Sequence, residues 1–239
     1  VGSANLGTQA DPFTSLAAFN AAQGSPSGPG TGDTVYLREG TGTYSEADGI
    51  NLLNGQTLVG GGQDLVIGAE TIEQGTGRPT IIVTGGTNNG IDLAQNNHIS
   101  GFDIGDTTGA GISDGGGGVG TLTVSDVGKS GVGQIIDVDQ GGTLNVALNS
   151  AASSGSSGGA IDLAGVSGSF TVTGATTITG THSGGGIDIT GSSLSASFTG
   201  GGTVSTGTTT AVNFTGNSGA LALGGGLDIV TTSGAGLNA

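Results

Sequence analysis

The 239-residue sequence contains no cysteine, methionine or tryptophan, and only four prolines. Without thiols the chain can form no disulfide framework, no cysteine zinc site and no thiol nucleophile. Its 55 glycines follow no Gly-X-Y period, which excludes a collagen triple helix. No stretch approaches the roughly 18 consecutive apolar residues that a membrane-spanning helix requires, so we expect no membrane insertion.

Basic residues are nearly absent as well. Arg38, Arg78 and Lys129 stand against 18 acidic residues, and the formal net charge is −15. Such a surface repels nucleic acid and anionic membranes, so we predict that the chain has no nucleic-acid partner. The same surface attracts cations, and calcium is the obvious candidate outside cells.

What the chain does contain is a repeat of about 25 residues. An aliphatic residue opens each copy, and the last four steps between these openers are 25 or 26 residues long, whereas the first step is 41. Self-similarity at this period is the signature of a solenoid. The openers are Ile50, Ile91, Ile112, Ile136, Ile161, Ile187, Val212 and Leu237.

Each copy holds three short segments in which apolar and small polar residues alternate, as they do between Ser169 and Thr173. Alternation with a period of two places the apolar set on one face of a β-strand. Glycine, serine and asparagine cluster between the segments, where tight corners need their backbone freedom. The sequence therefore predicts an all-β parallel β-helix of about seven to eight three-strand turns.

The chain divides into an N-terminal extension with a capping helix, residues 1–32, and the solenoid itself, residues 33–239. The one helix candidate spans residues 11–22, with Asp11 as its N-cap and Pro12 at its first position. We expect this helix to cover the open core at the first turn, and a partner-binding helix is the alternative.

The long first step indicates an insertion in the first turn. The inserted loop spans residues 63–79 and contains Glu70, Glu73 and Arg78. Loops that break a repeat often carry binding, so this loop is a candidate binding protrusion. The alternative is a plain side loop.

Three stretches near the N-terminus resemble the opening turns of right-handed β-helix domains of the pectate-lyase-like superfamily. They are Asp-Thr-Val-Tyr-Leu-Arg-Glu-Gly at 33–40, Tyr-Ser-Glu at 44–46, and Ile-Asn-Leu-Leu-Asn-Gly-Gln-Thr-Leu-Val-Gly-Gly-Gly at 50–62. The later Gly-Ile-Asp-Leu turns are similar to those of large bacterial surface and secreted proteins, including adhesins and autotransporter-type passengers. The resemblance covers nearly the whole chain and implies right-handed winding. The superfamily includes lyases, hydrolases, phage tailspikes and adhesins, so the fold alone selects no function.

The resemblance also implies what an enzyme of this fold would need. A pectate lyase-like reaction uses calcium carboxylates and an arginine or lysine base in one cleft, but the three basic residues share no apparent strand face. Hydrolases of the fold resemble one another through an Asp trio, a Gly-His-Gly and an Arg-x-Lys, none of which occurs here. His98 and His182 stand in polar loops, where we expect solvated side chains. We therefore predict that the chain is not an enzyme.

Polar residues follow the openers: Asn51, Asp92, Ser113, Asp137, Asp162, Asp188, Asn213 and Asn238. Asp137, Asp162 and Asp188 would occupy adjacent rungs about 4.8 Å apart. Carboxylates that close repel one another, so a calcium ion between rungs is one prediction. The alternative is a solvated edge with side chains splayed apart, because the repeat lacks the Gly-Gly-x-Gly-x-Asp calcium spacing.

These features predict a rigid, non-enzymatic extracellular rod, secreted or on a cell surface, that displays or adheres. It would be a segment of a bacterial surface protein, or a subunit stacking end to end into an extracellular filament, because residues 236–239 start a new turn without a cap. Its partners would be further copies at the exposed ends, or host or cell-surface glycans. The alternative is a carbohydrate-binding or polysaccharide-degrading β-helix, in which loop 63–79 roofs a cleft. The scarcity of aromatic residues weighs against that alternative, because sugar sites stack pyranose rings on them.

Overall fold

The computed structural model of the protein describes residues 7–239 and is the predicted all-β solenoid, a right-handed parallel β-helix of about eight turns. Residues 1–6, the start of the predicted N-terminal extension, lie outside the described residues. One short helix, α1, spans Leu16–Ala22 and precedes the strands. The strands are β1 (Thr34–Leu37), β2 (Thr43–Glu46), β3 (Ile50–Asn51), β4 (Thr57–Gly60), β5 (Leu65–Ile67), β6 (Glu70–Glu73), β7 (Thr80–Val83), β8 (Ile91–Asp92), β9 (His98–Ile104), β10 (Ala110–Ser113), β11 (Thr121–Lys129), β12 (Gln134–Val138), β13 (Gly142–Ser153), β14 (Ile161–Ala164), β15 (Val166–Val172), β16 (Thr176–Ile178), β17 (Ile187–Thr190), β18 (Ser195–Phe198), β19 (Gly202–Gly207), β20 (Val212–Thr215), β21 (Leu221–Leu223), β22 (Leu227–Thr231) and β23 (Leu237–Asn238).

Face 1 of the solenoid is an eight-stranded, fully parallel sheet in the order β3-β8-β10-β12-β14-β17-β20-β23. Its strands begin at or near the predicted openers, which pair with one another from turn to turn. Ile136 pairs with Ile161, Ile161 pairs with Ile187, and the same register continues to both ends. The predicted repeat is therefore confirmed over all eight copies.

Faces 2 and 3 belong to one 13-stranded sheet, because three long strands bend through the corner between them. Face 2 runs β1-β4-β9-β11-β13-β15-β18-β21, and face 3 runs β2-β7-β9-β11-β13-β16-β19-β22. The corner falls at Gly101 in β9 and at Asp126 in β11, whose φ angles are +79° and +53°. Both angles lie in the left-handed region that favours glycine, so side-chain contacts must hold Asp126 there.

The core is a column of apolar side chains enclosed by the three faces. In β14, Ile161 and Leu163 are buried while Asp162 between them is half-exposed, as the alternation predicts. Burial of such side chains on successive rungs is the main stabilising contribution to a solenoid. Three phenylalanines that point into the core are fully buried: Phe102, Phe170 and Phe198. Phe214, in the last turns, is half-buried against the same core.

Helix α1 packs on the first turn, with Leu16 and Phe19 buried in the core cluster. It starts later than predicted. Its N-cap is Ser15, whose Oγ accepts from the Ala18 amide at 3.0 Å, so the prediction of Asp11 as N-cap and Pro12 as first helical residue is wrong. The physical reason is a tertiary contact: the Glu46 carboxylate on β2 accepts from the Leu16 amide at 2.8 Å and from the Ala17 amide at 3.2 Å.

One buried hydroxyl on face 3 gives a stability prediction. Thr176 is 1% exposed, and its Oγ1 has no hydrogen-bond partner among residues 7–239. We expect Thr176→Val to raise the free energy of unfolding by about 1 kcal/mol, because a methyl group replaces an unsatisfied hydroxyl of similar shape. Urea unfolding measures the effect. Thr177→Val, on the exposed side of the same strand, is the control and should change stability by less than about 0.5 kcal/mol. A less stable Thr176→Val protein would contradict the prediction.

Candidate functional site

The predicted aspartate row lies on face 1. Asp137 pairs with Asp162, and Asp162 with Asp188, so the three carboxylates occupy successive rungs as expected. Each of the three residues is half-buried rather than fully exposed. Towards the C-terminus amides replace the carboxylates: Asn213 Nδ2 donates to Asp188 Oδ1 at 2.9 Å, and Asn238 Nδ2 donates to Asn213 Oδ1 at 2.9 Å.

The middle of this row holds an unfavourable concentration of negative charge. Burial raises the pKa of Asp137 to about 6, with further upward contributions from Asp162, Asp139 and Asp114. Burial also raises the pKa of Asp162, and the neighbouring Asp188 carboxylate adds to that effect. Both shifts have the direction expected of partly buried carboxylates that lie beside one another.

The calcium prediction concerns these same rungs. Among the described residues, no group of three or more His, Asp and Glu side chains is arranged to hold a metal ion. Calcium at Asp137, Asp162 and Asp188 therefore stays a prediction. If an ion bridges the rungs, calcium titration will raise the melting temperature, and Asp162→Asn will abolish the increase. A melting temperature that does not change on addition of calcium would contradict the prediction of a calcium site.

A pH dependence follows from Asp137 in metal-free buffer with a chelator. Its pKa in the folded protein is about 6 against an ordinary value of 3.8, so between these pH values the folded state binds more protons than the unfolded chain. The ionised Asp137 carboxylate therefore destabilises the folded protein above about pH 6. This destabilisation decreases as the pH falls from 6 towards 3.8. We expect Asp137→Asn to stabilise the protein by about 1–2 kcal/mol at pH 7, after allowance for partial solvent screening.

Denaturant unfolding of both proteins at pH 7 and pH 4 measures this difference, which should be close to zero at pH 4. Asp228→Asn, an exposed position on face 3, is the matched control. A stabilisation by Asp137→Asn that is equal at both pH values would contradict the assignment to charge.

The two arginines are engaged in ion pairs. Arg78 Nη2 donates to Asp103 Oδ1 at 2.8 Å, and Arg78 Nη1 donates to Asp126 Oδ1 at 2.6 Å. The same guanidinium reaches the Phe102 carbonyl at 3.0 Å and the Asp126 carbonyl at 2.9 Å, which holds Asp126 in its left-handed conformation. Arg38 donates to Glu73 at 2.8 Å.

The third basic residue, Lys129, points into the core and is 1% exposed. Its Nζ donates to the Ser130 carbonyl at 2.7 Å and to the Val132 carbonyl at 2.9 Å. Burial lowers the pKa of the amine to about 8, and Asp106 opposes that shift. All three basic side chains of the chain are thus occupied by structural contacts.

The prediction that the His182 side chain is solvated is wrong. We expected a solvated side chain, but His182 is fully buried. Its Nε2 donates to the Thr179 carbonyl at 3.0 Å, which leaves Nδ1 to accept from Ser156 Oγ at 2.8 Å. The ring is buried because the corner loops of adjacent turns stack, and Ser156 and His182 pair as an isolated parallel bridge. His98, in contrast, is exposed as expected.

The predicted inserted loop contains an antiparallel hairpin, β5–β6, whose Val66 and Ile67 are exposed. The hairpin and α1 border a cavity of about 740 Å³ at the N-terminal end of the solenoid. Residues that line this N-terminal cavity include Phe13, Leu16, Asp33, Tyr36, Arg38, Tyr44, Leu65, Ile72 and Glu73. The Tyr36 hydroxyl donates to the Gln63 carbonyl at 3.2 Å, and the Tyr44 hydroxyl donates to the Arg38 carbonyl at 2.7 Å.

The two ends of face 1 differ. At the N-terminal edge, side chains of α1 bond to the outer strand β3: the Asn51 amide donates to Asn20 Oδ1 at 3.0 Å, and Asn20 Nδ2 donates to the Gly49 carbonyl at 2.8 Å. Gln23 Nε2 donates to the Asn51 carbonyl. These groups would otherwise be available to another strand, so the helix blocks this edge. The outer strands of the other two faces at this end, β1 and β2, have one strand neighbour each, as do β21, β22 and β23 at the C-terminal edge.

Comparison with known proteins identifies no relative. No family model, no curated protein and no solved structure matches the chain. Within residues 7–239, no helix is both long and apolar enough to cross a membrane.

Proposed function

We propose that this chain is a non-enzymatic structural and adhesive rod, a segment of a secreted or surface-attached bacterial protein that acts outside the cell. The single observation that carries the proposal is the uninterrupted stack of eight turns, with the core residues continuous along one axis. A stack of this kind holds attached groups at fixed spacing, which is the property that a display or adhesion module needs.

The polar chemistry of the described residues supports the same proposal. A lyase-like reaction would need a free basic side chain beside carboxylates, but both arginines are held in ion pairs and Lys129 is buried. The His182 imidazole is also buried within a corner. These groups contribute to the stability of the fold, which leaves the acidic and small polar outer faces for interaction with partners.

Of the two structural versions, the N-terminal edge of face 1 favours a rod segment over a head-to-tail filament. Head-to-tail stacking requires the C-terminal edge of one copy to pair with the N-terminal edge of the next. Asn20 and Gln23 already occupy the backbone groups of β3 at the N-terminal edge. A stacked strand would have to displace both side chains and helix α1.

Immunogold electron microscopy of the native source, with an antibody raised against this chain, tests the proposal. We expect label on the outer surface of the cells or on material released from them. Label confined to the cytoplasm would contradict it. Fibres of uniform diameter decorated along their length would favour the filament version instead.

A carbohydrate-binding function is a second candidate, because one observation favours it. The N-terminal cavity brings together the two tyrosines of the chain with Asp33, Arg38 and Glu73. Aromatic rings beside carboxylate and guanidinium groups form a combination that can bind sugars. A glycan array and a polysaccharide depolymerisation assay separate the two candidates: binding lost in Tyr36→Ala but kept in Thr177→Val would support the second.

A further inference from the structure

We infer that the N-terminal cavity binds a small amphipathic amine, with its ammonium group at Glu73 and its apolar body between helix α1 and hairpin β5–β6. The inference goes beyond the rod function, because it gives one end of the rod a ligand site. The ligand class also differs from the sugars of the second candidate function.

The N-terminal cavity has the size and the walls of a small-molecule site. Its volume is about 740 Å³, and ligand pockets in proteins typically measure about 300–1,000 Å³. Helix α1, strand β1 and hairpin β5–β6 enclose it, together with the segment that precedes the helix. Residues between positions 7 and 73 of the chain itself therefore form the walls.

Apolar side chains line two opposite walls of the cavity. On the helix side, the rings of Phe13 and Phe19 lie 5.9 Å apart in an edge contact. On the hairpin side, Ile67 and Ile72 are 56% and 40% exposed. A ligand with an apolar body would remove both walls from water, which is the main favourable contribution to binding such a molecule.

Glu73 offers the ligand a free carboxylate oxygen. Its Oε2 accepts from Arg38 Nη2 at 2.8 Å and from Gln9 Nε2 at 3.0 Å, whereas Oε1 has no hydrogen-bond partner within residues 7–239. The bonds from Gln9 and Arg38 lower the pKa of Glu73, so this side chain is ionised at neutral pH. An ammonium group in the cavity can therefore donate to Oε1 while Arg38 remains on Oε2.

The charges around the cavity favour a cation over an anion at this position. Burial raises the pKa of Tyr36, and Glu73 and Asp64 raise it further, whereas Arg38 opposes them as the weakest contribution. Burial also raises the pKa of Tyr44, but there Arg38 is the strongest neighbouring charge. The ammonium group therefore belongs at the Tyr36 end, where the ring face also attracts a cation. The net charge of −15 acts in the same direction.

The polar groups of the lining suit an amine better than a sugar. The Tyr36 hydroxyl already donates to the Gln63 carbonyl, and the Tyr44 hydroxyl donates to the Arg38 carbonyl. A sugar would bury several hydroxyl groups against apolar walls, and each unpaired hydroxyl weakens binding. An amphipathic amine has only one polar group to pair.

Isothermal titration calorimetry of the 239-residue chain with three eight-carbon probes tests the proposal: n-octylammonium, 1-octanol and octanoate. We expect n-octylammonium to bind about tenfold more tightly than 1-octanol, because its hydrogen bond to Glu73 joins two charged groups. Octanoate should bind more weakly than both. Because each buried methylene strengthens binding about three- to fourfold, n-hexylammonium should bind about tenfold more weakly than n-octylammonium.

Tyrosine fluorescence locates the bound probe, since Tyr36 and Tyr44 are the only tyrosines of the chain and both line the cavity. We expect n-octylammonium to change this fluorescence with the same midpoint as the calorimetric titration. A calorimetric signal without any change in tyrosine fluorescence would place the probe elsewhere and overturn the assignment.

Two matched pairs of substitutions separate the cavity from the general negative charge of the protein. Glu73→Gln should abolish the preference for n-octylammonium over 1-octanol, whereas Glu70→Gln, on the same strand but outside the cavity, should preserve it. Ile67→Gln should weaken binding of both probes about fivefold or more. Val66→Gln should not, because Val66 is similarly exposed on β5 but does not line the cavity.

Three further results would overturn the proposal: no binding of n-octylammonium, binding of octanoate as tight as that of n-octylammonium, or equal behaviour within either pair of variants. Circular dichroism melting shows that each variant keeps the fold, and retained 1-octanol binding shows that the cavity is intact in Glu73→Gln. The rod function would stand in each case, because immunogold localisation tests it independently.

Discussion

Lys129→Ala is expected to lower the free energy of unfolding by about 2–4 kcal/mol. The side chain fills a core position between Ile104 and Ala151 on the neighbouring rungs, so truncation leaves a cavity. It also leaves the Ser130 carbonyl without its amine donor. Guanidinium unfolding at pH 7 measures the loss.

Lys129→Met is the matched control, because it keeps most of the volume and removes the charge. We expect its stability at pH 7 to lie within about 1 kcal/mol of the unsubstituted protein, since relief from burying a charge offsets two lost hydrogen bonds. The pKa of Lys129 is about 8 in the folded protein against an ordinary value of 10.5. Between these values the folded state binds fewer protons than the unfolded chain, so stability rises with pH in that window. The Met variant should lack this rise in stability. The same rise in the Met variant would contradict its assignment to Lys129.

Phe170→Ala is expected to cost about 3–5 kcal/mol, the largest effect among the single substitutions considered. Phe170 is fully buried in the middle of the stack, and its ring lies 6.0 Å from that of Phe198 on the next turn. The loss therefore affects packing on two rungs. Because each turn depends on its neighbours, damage in the middle of the stack should unfold the whole chain in one transition.

Phe214→Ala provides the comparison for that prediction. Phe214 is only partly buried, in the last turns of the solenoid, so we expect roughly half the cost of Phe170→Ala. Equal costs at the two positions would contradict a stack in which burial decreases towards the C-terminal edge. Differential scanning calorimetry distinguishes one transition from two in each variant.

The fold was predictable because one rule repeats. Every opener from Ile50 to Leu237 is aliphatic, and the residue after each opener is polar and small or acidic, so period-two alternation places most of these side chains correctly. The exceptions are Ser113, which is buried, and Leu237, which is 52% exposed. The insertion at residues 63–79 was also visible in the sequence, because it lengthens the first step to 41 residues. The hairpin within it was not predicted, because its two strands pair only with each other and do not follow the repeat.

The details that sequence reasoning missed depend on contacts that the hydropathy pattern does not show. Asp11 and Pro12 form a good local signal for a helix start, but Glu46, 30 residues beyond Leu16, supplies the acceptor that sets the actual start. Lys129 and His182 are polar residues that are buried with their hydrogen bonds satisfied. Lys129 Nζ donates to two carbonyls of its own corner, whereas His182 bonds to the Thr179 carbonyl in its own corner and to Ser156 Oγ on the adjacent turn. No local pattern distinguishes such residues from solvated ones.

The sequence predicts that the three aspartates are neighbours on adjacent turns, but it does not determine whether they form a binding site. Register follows from the repeat, so Asp137, Asp162 and Asp188 had to lie on successive rungs. Whether their carboxylates converge on a cation depends on side-chain rotamers, which the repeat does not determine. The blocking of the N-terminal edge by Asn20 was equally invisible, because it requires the helix to pack at one particular height on the first turn.

Pulsed electron–electron double resonance between spin labels on face 1 tests the central claim most directly. The chain has no cysteine, so a label at Asp92→Cys can be paired in turn with labels at Asp188→Cys, Asn213→Cys and Asn238→Cys without background reaction. Four, five and six rungs separate these pairs, so we expect backbone separations of about 19, 24 and 29 Å, rising by about 4.8 Å per turn. Separations without that constant increment would contradict the stacked solenoid.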